Sequence, residues 1–202
     1  MWGARAAKNN RGMPSPETLL FFAATTLVLL LVPGPSVLFI VARTLEHGRR
    51  GGLTSMLGVE SGALLHVLAA TVGLGALVAA SPDALLVLKL SGAAYLLYMG
   101  IRALRGATQA ATPAAGGKLY RQGLLVDALN PKTAMFFVAF LPQFIDPTGN
   151  VALQTLVLGL VFVALATLTD TAYALLASTI RTKHLSKVAG TAYIGLAGTL
   201  AL

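Results

Sequence analysis

Charged residues are scarce in this chain. Lys, Arg, Asp and Glu make up 11% of its 202 residues, whereas 56% are hydrophobic. A soluble domain has about 25% charged residues, so this chain cannot cover a folded surface with side chains that are compatible with water. The composition therefore predicts an integral membrane protein, and the length of its apolar runs predicts an all-α fold.

Cysteine is absent, which excludes disulfides and thiolate metal sites. The three histidines are scattered, and neither H-E-x-x-H nor G-x-S-x-G occurs, so the sequence does not predict a metal exporter or an intramembrane hydrolase. Ser36 has no evident base. We expect no enzyme activity, no bound metal and no cofactor.

The net charge of +8 comes from basic residues in short loops between apolar runs. No basic face interleaved with aromatic residues is present, so we expect contact with anionic lipid headgroups and no binding of nucleic acid. A helix needs about 20 apolar residues to cross a bilayer. Six runs qualify as candidate spans: 18–42, 53–80, 84–101, 121–145, 151–179 and 185–202.

The loop charges predict an orientation. Three loops contain ten basic residues, and the two opposite loops, Ser81–Asp83 and Asp146–Asn150, contain no Lys or Arg. The positive-inside rule then makes the basic loops cytoplasmic, in an inner (plasma) membrane, with both termini outside. The basic segment 1–12 contradicts this orientation, and we interpret it as a non-native or dispensable tail before a compact start at Met13.

The two halves of the chain resemble each other. Lys89–Gly100 and Lys187–Gly198 share the pattern K-x-x-G-x-A-Y-x-x-x-x-G, and Pro35 corresponds to Pro131. Each half has three predicted spans, the first broken by proline, so the halves are expected to insert as inverted repeats. The predicted units are 13–105 and 119–202, joined by the linker 106–118.

Several segments resemble the lysine exporter family, also called the homoserine/threonine resistance family. They are PGPSVLFIVARTLEHGRRGG, LGVESGALLHVLAATVGLGAL, SGAAYLLYMGIRALR and NPKTAMFFVAFLPQF. The resemblance runs from about Met13 to the C-terminus. It implies a small inner-membrane exporter of amino acids or similar metabolites that is driven by the proton gradient.

Unusual residues of four predicted spans share one depth in the membrane. They lie eight to eleven residues from the nearest basic loop residue, which corresponds to about 12–17 Å at a rise of about 1.5 Å per residue. That depth is close to the middle of a core about 30 Å thick. The residues are Pro35, Glu60, Asn130, Lys132 and Asp170.

This convergence suggests a site for a zwitterion. Lys132 and the N–H groups of the two helix breaks would receive a carboxylate, and Glu60 or Asp170 would bind an ammonium group or a proton. Glu60 is the first choice as proton carrier. The predicted substrate-binding residues are Pro33, Gly34, Pro35, Ser36, Asn130, Pro131 and Lys132. The alternative is a permanent carboxylate–Lys132 pair that only holds helices together.

Asp127 and His66 are further candidates for proton coupling. Asp127 lies six residues from Arg121 and could reach interfacial water or cap the broken helix. His66 lies beyond the midplane of the membrane. The alternative to proton coupling is that His66 is an interior residue held by a hydrogen bond. Gly58 and Gly62 form G-x-x-x-G, which predicts close helix packing within the chain or in a homodimer.

The sequence therefore favours an exporter of amino acids or related small zwitterions that works by proton antiport. Two other classes stay open on the residues alone. One is an exporter of another small solute or ion, and the other is a membrane assembly protein that transports nothing.

Overall fold

The computed structural model describes residues 12–81, 83, 86–88, 90 and 119–179. These residues contain only helices, turns and bends, with no strand among them, which confirms the all-α prediction. The predicted spans 84–101 and 185–202, the linker 106–118 and the tail 1–12 fall largely or wholly outside the described residues. Within these residues, the α-helices whose bounds are described are α1 Pro16–Leu30, α2 Pro35–Ala80, α3 Leu119–Ala128, α4 Pro131–Met135 and α5 Val151–Thr179.

The first span is broken where the prolines predict it. Helix α1 begins at Pro16 after Ser15, whose hydroxyl accepts a hydrogen bond from the N–H of Thr18 at 3.1 Å. It ends before Pro33 and Pro35, because these residues have no N–H to continue the ladder. Proline fits the first turn of a helix, so the chain resumes as α2 at Pro35.

Helix α2 consists of two helical segments, 35–47 and 49–80, separated by Gly48. Gly48 has a φ of 70°, a left-handed conformation that glycine adopts without steric cost. A Cβ on Gly52 would lie 3.3 Å from the Cα of Thr44, whereas residues eight apart in a straight helix are about 12 Å apart. The chain therefore turns sharply at Gly48, and the predicted loop between the first two spans is helical except at this residue.

The second proline break lies between α3 and α4, and the chain bends there by 42° between Leu119–Ala128 and Pro131–Phe144. Asn130 caps α4, since its side-chain oxygen accepts a hydrogen bond from the N–H of Lys132 at 3.0 Å, and Pro131 occupies the first turn. A π-helical turn, Phe136–Phe140, and a 3₁₀ turn, Leu141–Phe144, follow α4. Pro142 cannot donate to the carbonyl of Val138, which is consistent with this change of winding.

Within the described residues, two helices are long and apolar enough to cross a membrane, Pro35–Leu77 and Val151–Thr179. The bent pair Leu119–Ala128 and Pro131–Phe144 is a third if it counts as one span. The core is aromatic: the ring of Phe22 in α1 contacts those of Phe136 and Phe144 at centroid distances of 6.0 and 5.1 Å. Many large apolar side chains point outward, as expected of a surface that faces lipid.

Helices α2 and α3 pack with their backbones in close contact along three glycines. A Cβ on Gly58 would lie 2.1 Å from the carbonyl oxygen of Tyr120, and a Cβ on Gly123 would lie 2.3 Å from that of Ser55. At Gly62 a Cβ would lie 2.8 Å from the Cβ of Asp127. The G-x-x-x-G face is therefore covered by α3 of the same chain.

Candidate functional site

A cavity of about 60 Å³ lies where the break between α1 and α2 meets α4 and α5. A water molecule needs about 10–15 Å³ of such space, so the cavity has room for a few waters. Apolar side chains such as Phe136 and Phe162 form part of its wall. The polar residues and the glycine that line it are Gly34, Ser36, Glu60, Asp127, Asn130, Lys132, Thr133 and Asp170.

Asp127 connects three helices at one wall of the cavity. Its Oδ1 accepts hydrogen bonds from the hydroxyls of Ser36 at 2.7 Å and Thr133 at 2.9 Å, and from the amide of Asn130 at 3.3 Å. The other oxygen, Oδ2, is buried and has no hydrogen-bond partner in the described part of the chain. Asp127 therefore joins the start of α2 to α4 and leaves one oxygen unpaired. Its side chain is 3% exposed, so it does not have the interfacial position considered from the sequence.

Asn130 completes this network from the break between α3 and α4. Its side-chain amide donates to the hydroxyl of Ser36 at 2.7 Å, and its backbone N–H donates to the carbonyl of Asp127 at 2.8 Å. Its side-chain oxygen caps α4 through the N–H of Lys132. One short polar side chain thus fixes the geometry of both sides of the break.

Glu60 and Asp170 bring two further buried carboxylates to the cavity, with 6% and 5% of their surface exposed. Neither carboxylate oxygen of Glu60 has a hydrogen-bond partner in the part of the chain that the structure describes. The hydroxyl of Thr167 lies toward Glu60 but donates to the carbonyl of Val163 at 2.8 Å. Asp170 is close enough to repel both Glu60 and Asp127. The cavity therefore brings three carboxyl groups, those of Glu60, Asp127 and Asp170, close together.

Lys132 supplies the positive charge. Its ammonium group donates to the carbonyl oxygens of Leu29 at 3.1 Å and Val32 at 2.5 Å. It is attracted by Asp170, but it makes no ion pair within 4.0 Å among the described residues. The structure therefore does not show the contact pair between Lys132 and a carboxylate that was the structural alternative.

Two side chains hold the carbonyls that the prolines release. In a continuous helix Leu29 would accept from residue 33 and Leu31 from residue 35, and both of these are prolines. Lys132 donates to the carbonyl of Leu29 instead, and the hydroxyl of Tyr173 in α5 donates to that of Leu31 at 2.9 Å. These contacts satisfy carbonyls that lipid could not satisfy.

The start of α2 presents free backbone donors to the cavity. Gly34 is its N-cap and has no side chain to accept a hydrogen bond, so the N–H groups of Ser36 and Val37 lack intrahelical partners. All three residues line the cavity. The positive end of the helix dipole therefore points into the cavity, as at many anion sites.

The structure separates the remaining predicted site residues from the cavity lining. Pro33, Pro35 and Pro131 shape the two breaks, and none of them is among the residues that line the cavity. His66 also lies outside the lining, where its Nε2 donates to the carbonyl of Asp127 at 3.0 Å and its ring stacks on Phe137. His66 therefore contacts the backbone behind Asp127.

Sequence reasoning missed Thr133 and Tyr173. Thr133 directly follows the Asn130–Lys132 break, and Tyr173 lies one helical turn after Asp170, on the same side of α5. A search for hydroxyl donors three residues after each polar candidate of the site would have found both, since Thr133 follows Asn130 and Tyr173 follows Asp170 at that spacing. Among the described residues, no group of three or more His, Cys, Asp or Glu side chains is placed to hold a metal ion.

Known proteins similar to this chain share its membrane character. It is 35% identical over 164 residues to an uncharacterized membrane protein of Vibrio cholerae, which covers 79% of this chain and 80% of that protein. It is 34% identical over 165 residues to the homoserine/homoserine lactone efflux protein of Salmonella typhi, with the same coverage. It is 33% identical over 129 residues to the leucine efflux protein of Salmonella choleraesuis, covering 60% of each chain.

No solved structure matches the chain. The family model for LysE type translocators matches residues 27–202. A translocator is a transporter and not an enzyme, in agreement with the sequence-based expectation, and the match includes both proline breaks and every residue that lines the cavity. The chain belongs to the LysE type translocator family.

Proposed function

We propose that the protein is an inner-membrane exporter of amino acids or related small zwitterionic metabolites, which it exchanges for protons. The observation that carries the proposal is a single cavity lined both by donors that suit a carboxylate, the Lys132 ammonium and the start of α2, and by carboxylates that suit an ammonium group. Relatives named for efflux of homoserine, homoserine lactone and leucine support this class of substrate.

The carboxylate of the substrate binds between Lys132 and the start of α2. The ammonium of Lys132 has three N–H donors, of which two are directed at Leu29 and Val32. The free N–H groups of Ser36 and Val37 lie across the same cavity. A charged donor together with a helix N-terminus is a favourable arrangement for a carboxylate.

The ammonium group of the substrate binds on the acidic side, chiefly at Glu60. Both oxygens of Glu60 and one of Asp127 are buried without a hydrogen-bond partner within the described ranges. A buried carboxylate that lacks a partner is costly, and an ammonium group would supply the missing donors. Asp170, at the same wall, is the second acceptor.

The same carboxylates provide the coupling to protons. Glu60, Asp127 and Asp170 face a single lysine, so three ionised carboxylates would leave two negative charges without compensation. A proton or a substrate ammonium can neutralise one of them, and the two therefore compete for one site. We assign Glu60 as the main proton carrier, with Asp170 second, and Asp127 and His66 as neighbours that position it.

The transport cycle is proposed to use six spans in two inverted repeats, 13–105 and 119–202, with the basic loops cytoplasmic. The break before Pro35 and the break before Pro131 are corresponding positions of the two repeats. Paired broken helices of this kind mark the substrate site of other secondary transporters. Alternating access would then move the repeats around the cavity.

Transport by proteoliposomes tests the proposal. Homoserine and homoserine lactone both have an α-amino group, but only homoserine has a free carboxylate. Counterflow of labelled homoserine, homoserine lactone and leucine is measured for the wild type, Glu60→Gln and Lys132→Met. We expect Glu60→Gln to abolish transport of all three compounds and Lys132→Met to impair homoserine and leucine more than the lactone.

Two results would contradict the proposal. Counterflow of no amino acid or related zwitterion by a folded wild-type protein would exclude the substrate class. Equal losses for homoserine and its lactone in Lys132→Met would remove Lys132 from carboxylate binding. Glu17→Gln is the matched control, because Glu17 lies in the first turn of α1, outside the cavity lining, and is expected to keep wild-type counterflow.

A further inference from the structure

Helix α1 packs on the core through residues that include Phe22, Leu29 and Leu30, and hydrogen bonds hold its C-terminal end. Near its middle, Phe22 is fully buried among aromatic rings of the segment that follows α4. At and just after its C-terminal end, Lys132 and Tyr173 from two other helices donate to the carbonyls of Leu29, Leu31 and Val32. Other apolar residues along α1, among them Leu20 and Val28, are exposed. The attachment at the C-terminal end therefore decides how that end lies against the cavity.

The link between α1 and α2 does not fix this end by itself. The chain from Leu31 to Gly34 is not helical, and the prolines remove the ladder hydrogen bonds that would cross it. The end of α1 can therefore move relative to α2 without breaking any helical hydrogen bond between them. Within the described residues, such a movement would break the hydrogen bonds from Lys132 and Tyr173 and loosen the packing of Leu29 and Leu30.

Lys132 lies between the broken helix and the cavity. Gly34 provides the space for it, because a Cβ at that position would lie 2.8 Å from the Cδ of Lys132 and 3.4 Å from its Nζ. The ammonium is directed at two carbonyls of α1, while the side chain lines the cavity and Asp170 attracts it from the other side. Lys132 is thus placed to exchange one set of acceptors for another.

We infer that Lys132 and Tyr173 form a latch on the broken end of α1, and that the carboxylate of the bound amino acid opens it by drawing the Lys132 ammonium away from Leu29 and Val32. The trigger rests on the proposed function, since it requires a substrate with a carboxylate. Tyr173 is a positioning residue that contacts α1 and sets how readily the latch opens.

The chemistry favours this exchange. A hydrogen bond between an ammonium group and a carboxylate is stronger than one between the same ammonium and a neutral carbonyl. Once Lys132 has turned to the substrate, Leu29 and Val32 have acceptors without a donor in an apolar environment, which is unfavourable. Movement of the end of α1 toward water would relieve this, so occupancy of the cavity and the position of α1 become coupled.

Spin labels can follow the position of α1 in the full chain. The protein has no cysteine, so Val28→Cys in α1 and Leu168→Cys in α5 create a unique pair at exposed positions. Distances are measured by pulsed electron resonance in nanodiscs for the wild-type background, Tyr173→Phe and Tyr120→Phe. Tyr120→Phe is the matched control. The hydroxyl of Tyr120 donates a hydrogen bond of similar length, 2.8 Å, but its acceptor is Ser61 and not a residue of α1.

Without any ligand, we expect Tyr173→Phe to raise the ratio of displaced to docked α1 by about fivefold, the effect of losing one neutral hydrogen bond. Tyr120→Phe should leave the distance distribution unchanged. If Tyr173→Phe has the same distribution as the wild type, or if both variants shift it equally, the latch is refuted.

The trigger is tested with leucine and leucinamide, which share the ammonium group and the side chain but differ in the carboxylate. Leucine at saturating concentration should displace α1 in the wild type, whereas leucinamide should not. Equal displacement by both compounds would refute the carboxylate as trigger.

Lys132→Met should give a distribution that neither compound changes, and a leucine response that survives in this variant would refute the role of Lys132. The ligand-free comparison does not depend on transport. If Tyr173→Phe shifts the distance distribution while the wild-type protein shows no counterflow of any amino acid, the proposed function is refuted and the latch is supported.

Discussion

The glycine contact between α2 and α3 gives a prediction about how the site is positioned. In Gly62→Ala, the new methyl group would lie 2.8 Å from the Cβ of Asp127 and from the carbonyl oxygen of Leu124, and 2.9 Å from the N of Ala128. Two of these atoms belong to the backbone, so no side-chain rotation can remove the overlap. Carbon contacts prefer about 3.5–4.0 Å, and α3 must therefore withdraw by roughly 0.6 Å or more.

The destabilisation expected from overpacking in Gly62→Ala can be separated from the effect of helix propensity by a control substitution in the same helix. Replacing glycine by alanine inside a helix normally stabilises it by up to about 1 kcal/mol. Gly73 also lies in α2, and a Cβ there would meet nothing within 4 Å, so Gly73→Ala shows the propensity effect alone. Overpacking typically costs about 1–3 kcal/mol, and Gly62→Ala should be less stable than Gly73→Ala by that amount.

The withdrawal also affects the cavity. The hydrogen bond that the hydroxyl of Ser36 in α2 donates to Asp127 in α3 is 2.7 Å long, and a withdrawal of this size would stretch it beyond the usual range of about 2.5–3.0 Å. Unfolding in detergent and leucine counterflow are measured for both variants. Equal stability and equal counterflow in Gly62→Ala and Gly73→Ala would refute the close packing and its role in placing Asp127.

Two further predictions concern the helix breaks. Pro33→Ala restores an N–H that can donate to the carbonyl of Leu29, so we expect unchanged or higher stability in detergent unfolding together with a loss of counterflow. Pro16→Ala, at the first turn of α1, is the control. Wild-type counterflow in both variants would contradict a role of the break in transport. Asn130→Asp keeps the cap of α4 but replaces an amide donor 3.3 Å from Asp127 by a carboxylate. It should be less stable than Asn130→Ser, by about 1–3 kcal/mol, and the opposite order in the same unfolding assay would contradict the network around Asp127.

Counting residues from the loops was enough to bring the main candidates together. Pro35, Glu60, Asn130, Lys132 and Asp170 were assigned to one depth from the sequence, and all of them except Pro35 line one cavity in the structure. Depth along a helix follows directly from the sequence, because the rise per residue is constant. Proline breaks follow equally directly, because the missing N–H is a local property.

The sequence did not predict how each helix is rotated about its axis or which side chains from different helices contact each other. By its depth alone, Asp127 could either reach interfacial water or cap the broken helix. It is buried, because α3 packs closely on Gly62 of α2. Lys132 was expected to face a carboxylate or the substrate, but carbonyls released by prolines about 100 residues earlier in the chain offer it other acceptors. Such pairings depend on how separate helices meet.

The central claim is that a protonatable carboxylate in this cavity exchanges a proton for an amino acid. The most direct measurement is proton flux from proteoliposomes that contain a pH-sensitive dye and an acidic interior, after external addition of leucine or homoserine. The account predicts substrate-dependent proton efflux in the wild type, its loss in Glu60→Gln and wild-type flux in Glu17→Gln. Amino-acid counterflow without any proton flux, or proton flux that is unchanged in both Glu60→Gln and Asp170→Asn, would contradict it.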